Sequence, residues 1–388
     1  MILVHKIELV PNNQQSNYFA RACGTSRFAY NWALARWNEI YKAGGKPKEA
    51  ALRRELNSLK AEQFPWMLEV TKVAPQQAIK NAGEAYSRFF KKLGKFPRFK
   101  KKGILDSFRA DNGPAKAGQD AVPVEGKYIK LPRIGWLKMR EPLRYEGQVK
   151  SVVVSRRADR WFAAIAVDTD QLPHVRKNHG TVGVDLGVTT LATLSTGEKI
   201  TGPKAHKALL NRMRRLSRSL SRKKKGSANR HKAKQKLARL HAQIANIRAD
   251  ALHKLTTGLV LDHTVIGIED LNVKGMARNK RLARHVMDQS FGEFRRQLEY
   301  KAKWYGSTLV VADRFFASSK LCSACGVKNP AVVLGVSGWD CPSCGVVHDR
   351  DENSATNLEH WAVSSTATAC GSESSGCAAW QRSETMPS

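Results

Sequence analysis

From Ile2 to Val10 the chain alternates apolar and polar side chains, the period-two pattern of a strand with one buried face. Pro11-Asn12-Asn13 breaks that pattern, and from about residue 16 to 92 the repeat lengthens to that of helices. Three are predicted: 16–43, ended by Gly44-Gly45; 47–63, ended near Pro65; and 72–92, with Ala78, Ala82, Ala85 and Phe89 near one face. Residues 107–170 return to short β-prone runs at 127–131, 147–155 and 161–167, punctuated by Gly and Pro, which predict a small antiparallel unit. If the N-terminal strand joins that unit, the helices form an insertion between strands.

The second half reads differently. Residues 181–200 hold two β-rich runs around Gly187 and a turn at Thr196-Gly197, as at the start of a mixed α/β sheet. Leu209, Met213, Leu216 and Leu220, then Leu237, Leu240, Ile244 and Ile247, repeat at three and four, so an antiparallel helical hairpin with an apolar seam is expected. A buried strand at 265–270, a helix at 290–305 and a strand at 308–312 follow. Beyond 358 large apolar residues are few, and 359–388 is expected to be disordered. The fold class is multidomain, mixing α+β with α/β.

Charge narrows what such a protein does. Against 33 acids stand 66 Lys and Arg, a net charge of +33, while 42% hydrophobic residues and nine Trp argue for a folded chain. A polyanion would offset that self-repulsion, so nucleic acid is the first partner to consider and an acidic small molecule a poor second. A membrane is disfavoured: no run approaches the roughly 18 apolar residues a spanning helix needs, and His5, Lys6 and Glu8 interrupt the N-terminal segment. A cytoplasmic protein is expected. The cations cluster within 201–250, where sixteen Lys and Arg meet one acid, Asp250, with Arg222, Lys223, Lys224 and Lys225 at the hairpin apex. An ordinary solvated coiled coil mixes its signs; this one suits a nucleic-acid backbone. The segment 91–102 interleaves Phe96 and Phe99 with Arg98, Lys100 and other cations, fitting either base stacking or a solvated basic loop.

Two constellations carry chemistry. Cys322-Ser-Ala-Cys325 and Cys341-Pro-Ser-Cys344 are fifteen residues apart, and each is followed by Gly. That spacing suits four thiolates around a structural Zn²⁺, with a redox CxxC as the competitor. Cys23, Cys370 and Cys377 are not expected to be ligands, and His348 is expected to lie just outside the ribbon. The second constellation is dispersed: Asp185 within a strand, Glu269 at a strand end, and Asp351 after the second cysteine pair, where it could equally cap a helix. Together such acids suit two Mg²⁺ ions about 4 Å apart acting on a phosphodiester, because hard cations take oxygen ligands.

GVDLGV, GIEDLNVKGM, SSKLCSACG, CPSCGVVHDRDENSATNL and CGTSRFAYNWAL together resemble the TnpB family, transposon-encoded RNA-guided nucleases similar to compact type V CRISPR effectors. The resemblance runs from Lys6 to about Leu358. It implies an RNase H-like RuvC nuclease at 179–318 and 346–358, with Asp185, Glu269 and Asp351 as its triad and Mg²⁺ ligands. It further implies a zinc ribbon at 319–345, a basic hairpin at 204–257, a wedge-type β-barrel at 1–12 and 104–178, a helical recognition insertion at 13–103, and a tail at 359–388. Lys72 and Gln76 are nominated to read a target-adjacent motif, although Pro75 departs from the family pattern; Ser354 stands where alanine is common, and Asp349 is a supporting candidate. The implied activity is Mg²⁺-dependent, RNA-guided cleavage of double-stranded DNA, with a guide RNA from the transposon end and a monomer as the expected protein component. A silent RNA-guided repressor and a DNA transposase are the alternatives.

Overall fold

The computed structural model describes the chain except residues 114–118, 171–173, 175–176, 178, 282, 334 and 370–388, and it divides into two compact units, Met1–Pro173 and His174–Ser388. Among the described residues no helix is long and apolar enough to cross a membrane.

The first unit opens with β1 (Ile2–Val10), whose Leu3, His5, Ile7 and Leu9 are buried by strict alternation. α1 (Asn13–Lys42) follows, capped by Asn12, whose side chain accepts from the Gln15 N–H at 2.8 Å while Gln15 reciprocates at 3.0 Å. Next come α2 (Glu49–Leu59), a 3₁₀ turn at Pro65–Glu69 that periodicity did not foretell, and α3 (Val73–Phe90). The strands β2 (Ser107–Arg109), β3 (Val124–Glu125), β4 (Tyr128–Leu131), β5 (Gly135–Met139), β6 (Gln148–Arg157) and β7 (Arg160–Asp168) complete a sheet ordered β2-β6-β7-β1-β5-β4-β3. β1 therefore does lie inside the later sheet, antiparallel to β7 and β5, with the helices intervening in sequence. α1 serves two cores: Tyr18, Phe19, Ala22 and Cys23 pack with the sheet, while Ala29, Tyr30, Ala33 and Leu34 pack with α2 and α3. The expected closed barrel is not formed. The ladder runs from one edge at β2 to the other at β3, strands of three and two residues whose few backbone groups leave no pairing that would close the ring.

The second unit contains a five-stranded sheet, β10-β9-β8-β11-β12, made by β8 (Thr181–Asp185), β9 (Ala192–Leu194), β10 (Lys199–Ile200), β11 (Val265–Glu269) and β12 (Thr308–Ala312). β8, β9 and β10 meander antiparallel, while β11 and β12 run parallel to β8. Between β10 and β11 lie α4 (Ala205–Ala208), α5 (Leu210–Ser221) and α6 (Ala228–Asp262). After β11 come α7 (Val273–Met276), α8 (Ala283–Gln289) and α9 (Phe291–Tyr305). α5 and α6 form the expected hairpin around Leu209, Met213, Leu216, Leu240 and Ile244. Ile247 is a correction: it is 37% exposed. α5 is too short to cover it, so the buried face of α6 continues instead to Leu252, Thr256 and Leu259, steps of about four residues.

Alternation along β8 and β11 decides how this sheet is covered. Val182, Val184, Ile266 and Ile268 share a core with Leu252 and Leu259 of α6 and Phe294 and Leu298 of α9. The opposite face carries Gly183 and Gly267, which are paired neighbours. There α10 (Arg350–Ala369) lies against the strands so closely that a Cβ on Gly183 would stand 1.8 Å from the Ala355 carbonyl oxygen. One on Gly267 would stand 2.4 Å from that of Leu358. This packing also overturns the disorder expected at 359–369. Small residues let the helix approach, Ala362 is fully buried, and the Trp361 ring sits 4.6 Å from that of Phe316. The rest of that tail, 370–388, lies outside the described residues.

Candidate active site

Parity places the acids. Asp185 and Glu269 each follow a glycine of the α10 face by two residues, and Gly183 pairs with Gly267, so both carboxylates emerge on that face at adjacent strand ends. Asp351 lies one helical turn before Ala355, the residue seated over Gly183. Asp351 does not cap α10. Asp349 does, accepting the N–H groups of Asp351 at 3.0 Å and Glu352 at 3.1 Å, because only a residue ahead of the first turn faces those donors. Lys199 Nζ holds that start by bonding Asp349 and Glu352, each at 2.9 Å.

Two serines connect the acids. Ser354 Oγ lies 3.0 Å from Asp185 Oδ1 and 3.0 Å from Ser318 Oγ, and Ser318 donates to Glu269 Oε1. Burial, then the Glu269 charge, pushes the Asp185 carboxyl up to about 7, against the Ser354 hydrogen bond. Burial also raises Glu269, partly offset by Ser318 and Arg350. Each serine has one hydroxyl proton: Ser318 gives its own to Glu269 and Ser354 directs its own at Asp185, so each strand-end acid is met by one hydroxyl donor. Two desolvated carboxylates beside a third suit a hard divalent cation, whose charge would remove their mutual repulsion. Among the described residues, however, the group already gathered closely enough to hold a metal is a different one.

That group is Cys322, Cys325, Cys341 and Cys344, with Sγ atoms all within 4.8 Å of one another. Two equivalent knuckles build it: the N–H of Gly326 bonds the Cys322 carbonyl and that of Gly345 bonds the Cys341 carbonyl, both at 2.9 Å. Both glycines have positive φ, 75° and 74°, which explains the Gly after each pair. Four soft thiolates fit zinc and leave no position for substrate. β13 (Gly338–Asp340) and β14 (Val347–Asp349) extend this ribbon beyond its expected end at 345. His348 is therefore inside it, its ring tilted against that of Trp339 at 4.7 Å and its Nε2 3.0 Å from Cys322 Sγ; strand pairing to Trp339 draws it in. Cys23 is buried in the first unit's core, and Cys370 and Cys377 lie outside the described residues.

The nucleic-acid candidates separate by exposure. Lys72 is exposed at the start of α3 and Gln76 is partly buried in its first turn, with Pro75 accommodated where a helix needs no proline N–H. Arg98 is exposed. Lys100 is turned inward: its Nζ lies 4.1 Å from the Tyr30 ring centroid, and its backbone N–H and carbonyl bond Asn31 at 2.7 and 2.9 Å. Burial lowers its ammonium, which favours packing over phosphate contact. Arg222, Lys224 and Lys225 are exposed at the hairpin apex and Lys223 partly so. Arg222 and Lys223 also line an open groove of about 790 Å³ with Arg212, Arg215 and Arg218. These three arginines were missed, though spacing by three on an acid-free helix was their signal. Ser318, Lys199, Asn353 and Asn357 were missed too, and no local pattern marks them.

Comparison with known proteins bears on this arrangement. Residues 164–280 match a family described as "Probable transposase", and 291–358 match the "Cas12f1-like, TNB domain" family. Residues 1–46 match a "Helix-turn-helix domain", although in this chain they form β1 and the single helix α1. A Streptomyces pristinaespiralis protein named "Putative RNA-guided DNA endonuclease" is 38% identical, covering 94% of this chain and 90% of its own. The Escherichia coli "Putative RNA-guided DNA endonuclease InsQ" is 36% identical, covering 94% and 93%. In structure, the chain is similar to the protein of a Cas12f1–sgRNA–target DNA complex, with a TM-score of 0.54 at 14% identity over 90% of this chain and 83% of that one.

Proposed function

Because the chain belongs to the TnpB family of RNA-guided DNA endonucleases, we propose that it cleaves target DNA by metal-assisted phosphodiester hydrolysis, directed by a guide RNA from its own element's end. The observation that carries this reading is the convergence of Asp185, Glu269 and the first turn of α10 on one face of the five-stranded sheet. An antiparallel meander extended by two parallel strands on the far side of β8 supports a RuvC-like, RNase H-type assignment for the second unit. The seven-stranded sheet is read as the wedge and α1–α3 as the recognition insertion.

In this mechanism Asp185, Glu269 and Asp351 would hold Mg²⁺. When bound, Mg²⁺ would supply charge neutralisation at the phosphate and a water nucleophile usable at neutral pH. The chain's own residues position these groups: Ser354 and Ser318 orient two of the carboxylates, and Asp349 with Lys199 fixes the helix start that carries the third. The ribbon cysteines hold zinc and take no chemical part. Arg212, Arg215, Arg218, Arg222 and Lys223 meet RNA phosphates, while base pairing supplies target choice.

The direct test expresses the chain with its flanking element DNA, sequences the co-purifying RNA and offers the particle a plasmid library with randomised flanks and Mg²⁺. An element-end RNA with guide-dependent double-strand cuts is the expected result, and protection of target DNA without cutting would move the assignment to the repressor. The groove makes a separate prediction. Replacing Arg212, Arg215 and Arg218 by Gln removes three phosphate partners, so the slope of log affinity for the RNA against log salt should flatten by about two to three. Filter binding between about 50 and 200 mM KCl measures it, and an unchanged slope would remove this helix from the RNA site.

A further inference from the structure

The serine pair leads back to the zinc ribbon. Ser318 is 3% exposed and lies four residues before Cys322, where the chain enters the ribbon. Its backbone is held by α10: Asn357 Nδ2 donates to the carbonyls of Ser318 and Leu321, both at 2.7 Å. Asn353, one turn earlier on the same helix face, donates to the Leu321 carbonyl at 2.7 Å and accepts the Ser323 N–H at 2.9 Å. The two amides thus grip 318–323, the segment that leads into the ribbon's first knuckle, from the helix whose first turn carries Asp351. From that anchored position the Ser318 hydroxyl donates to Glu269, and Ser354, 1% exposed, continues the contact to Asp185.

We propose that Ser318 is a positioning residue for the divalent-metal site, holding Glu269 directly and lying against Ser354, which holds Asp185, and that the ribbon base clamped by Asn353 and Asn357 sets where it stands. The inference rests on the nuclease reading above. Among the described residues, the hydroxyls engage one oxygen of each acid, and Asp185 Oδ2 and Glu269 Oε2 make no hydrogen bond. A donor on one oxygen fixes the carboxylate's rotation and leaves the other oxygen to meet a cation. The thiolate tetrahedron takes no part in the reaction, yet it shapes the segment from which an acid is aimed. Zinc ribbon and acid cluster are accordingly one mechanical unit.

The test measures Mn²⁺ binding to the full-length, zinc-replete, RNA-free chain from the loss of the free-ion electron paramagnetic resonance signal. Asp185→Ala defines the signal due to this site. Ser318→Ala should weaken that binding about tenfold, at the lower end of what losing a ligand's hydrogen-bond partner costs. Ser318→Thr, which keeps the hydroxyl, should stay within about threefold of the parent, and zinc content should be the same in all three. Unchanged Mn²⁺ affinity in Ser318→Ala, or an equal loss in Ser318→Thr, would overturn the proposal while leaving the nuclease reading intact. If the parent has no Asp185-dependent Mn²⁺ binding, the nuclease reading fails, and this inference with it.

Discussion

Asp185→Asn should abolish DNA cleavage while leaving guide-RNA binding and target recognition at parental levels. The substitution keeps the side chain's size but removes a charge that a divalent cation needs, and a loss of about 4 kcal/mol of barrier lowering corresponds to roughly a thousandfold in rate. A mutation confined to the proposed metal site should not disturb the arginine-lined groove on α5 that is proposed to take the RNA. The same variant has a thermodynamic signature that needs no substrate. In the metal-free chain the Asp185 carboxyl is raised from an ordinary 3.8 to about 7, so the folded state holds this proton more tightly than the unfolded state does. Stability from this group is therefore complete below about pH 4, declines as pH rises toward 7, and is constant above that. At about 1.4 kcal/mol per unit, the ceiling is roughly 4 kcal/mol.

Asparagine does not titrate, so in magnesium-free buffer the variant should melt above the parent at pH 8, by up to about 10 °C, and lose that advantage at pH 4 to 5. Added Mg²⁺ should raise the parent's melting temperature at pH 8 but not the variant's. Differential scanning calorimetry across that pH range decides it. Parallel pH profiles for the two proteins would show that Asp185 is not a strained carboxylate, and retained cleavage would show that it is not a metal ligand.

Gly183→Ala should cost the second unit about 3 kcal/mol or more and reduce cleavage about a hundredfold, although the added methyl lies two residues from the nearest acid. Its Cβ would fall 1.8 Å from the Ala355 carbonyl oxygen and 2.5 Å from the Glu359 nitrogen, both backbone atoms that no rotamer change can move aside. Either α10 lifts from the sheet or β8 shifts, and in both cases Asp351 separates from Asp185. Gly292→Ala is the matched control. A Cβ there meets nothing within 4 Å, so the methyl should be tolerated or mildly stabilising within the helix. Chemical denaturation and a cleavage time course on both variants are sufficient. A Gly183→Ala protein as stable and active as the parent would refute the close seating of α10.

The elements that alternate or repeat strongly were legible from the chain. β12 falls exactly on the strand expected at 308–312, and β1, α1, α3 and the α5–α6 hairpin fall close to their expected places. Each announces itself through local burial, because one face of a strand or helix must be apolar to pack. Where local composition was a poor guide, neighbours had decided otherwise. Residues 359–369 have few large apolar side chains, yet small ones are what a helix over paired glycines requires. Ile247 fits the hairpin's repeat, but the partner helix ends before reaching it. Lys100 reads as one more cation in a basic run until Tyr30 and Asn31 turn it inward.

The same division applies to the site. Sequence by itself determined which donor groups are on offer: four thiolates at knuckle spacing, three carboxylates placed within a strand, at a strand end and after the second cysteine pair, and a cationic hairpin with one acid. Those candidates follow from residue type and short-range spacing, which metal preference and charge can read directly. Only the tertiary structure decided that Gly183 and Gly267 stand side by side under α10, that Asp349 rather than Asp351 caps that helix, and that Ser318 and Ser354 join the two strand-end acids. Each of these contacts, apart from the cap, joins residues tens of positions or more apart. Strand register and a close helix approach place them, and neither leaves a periodic trace in the sequence.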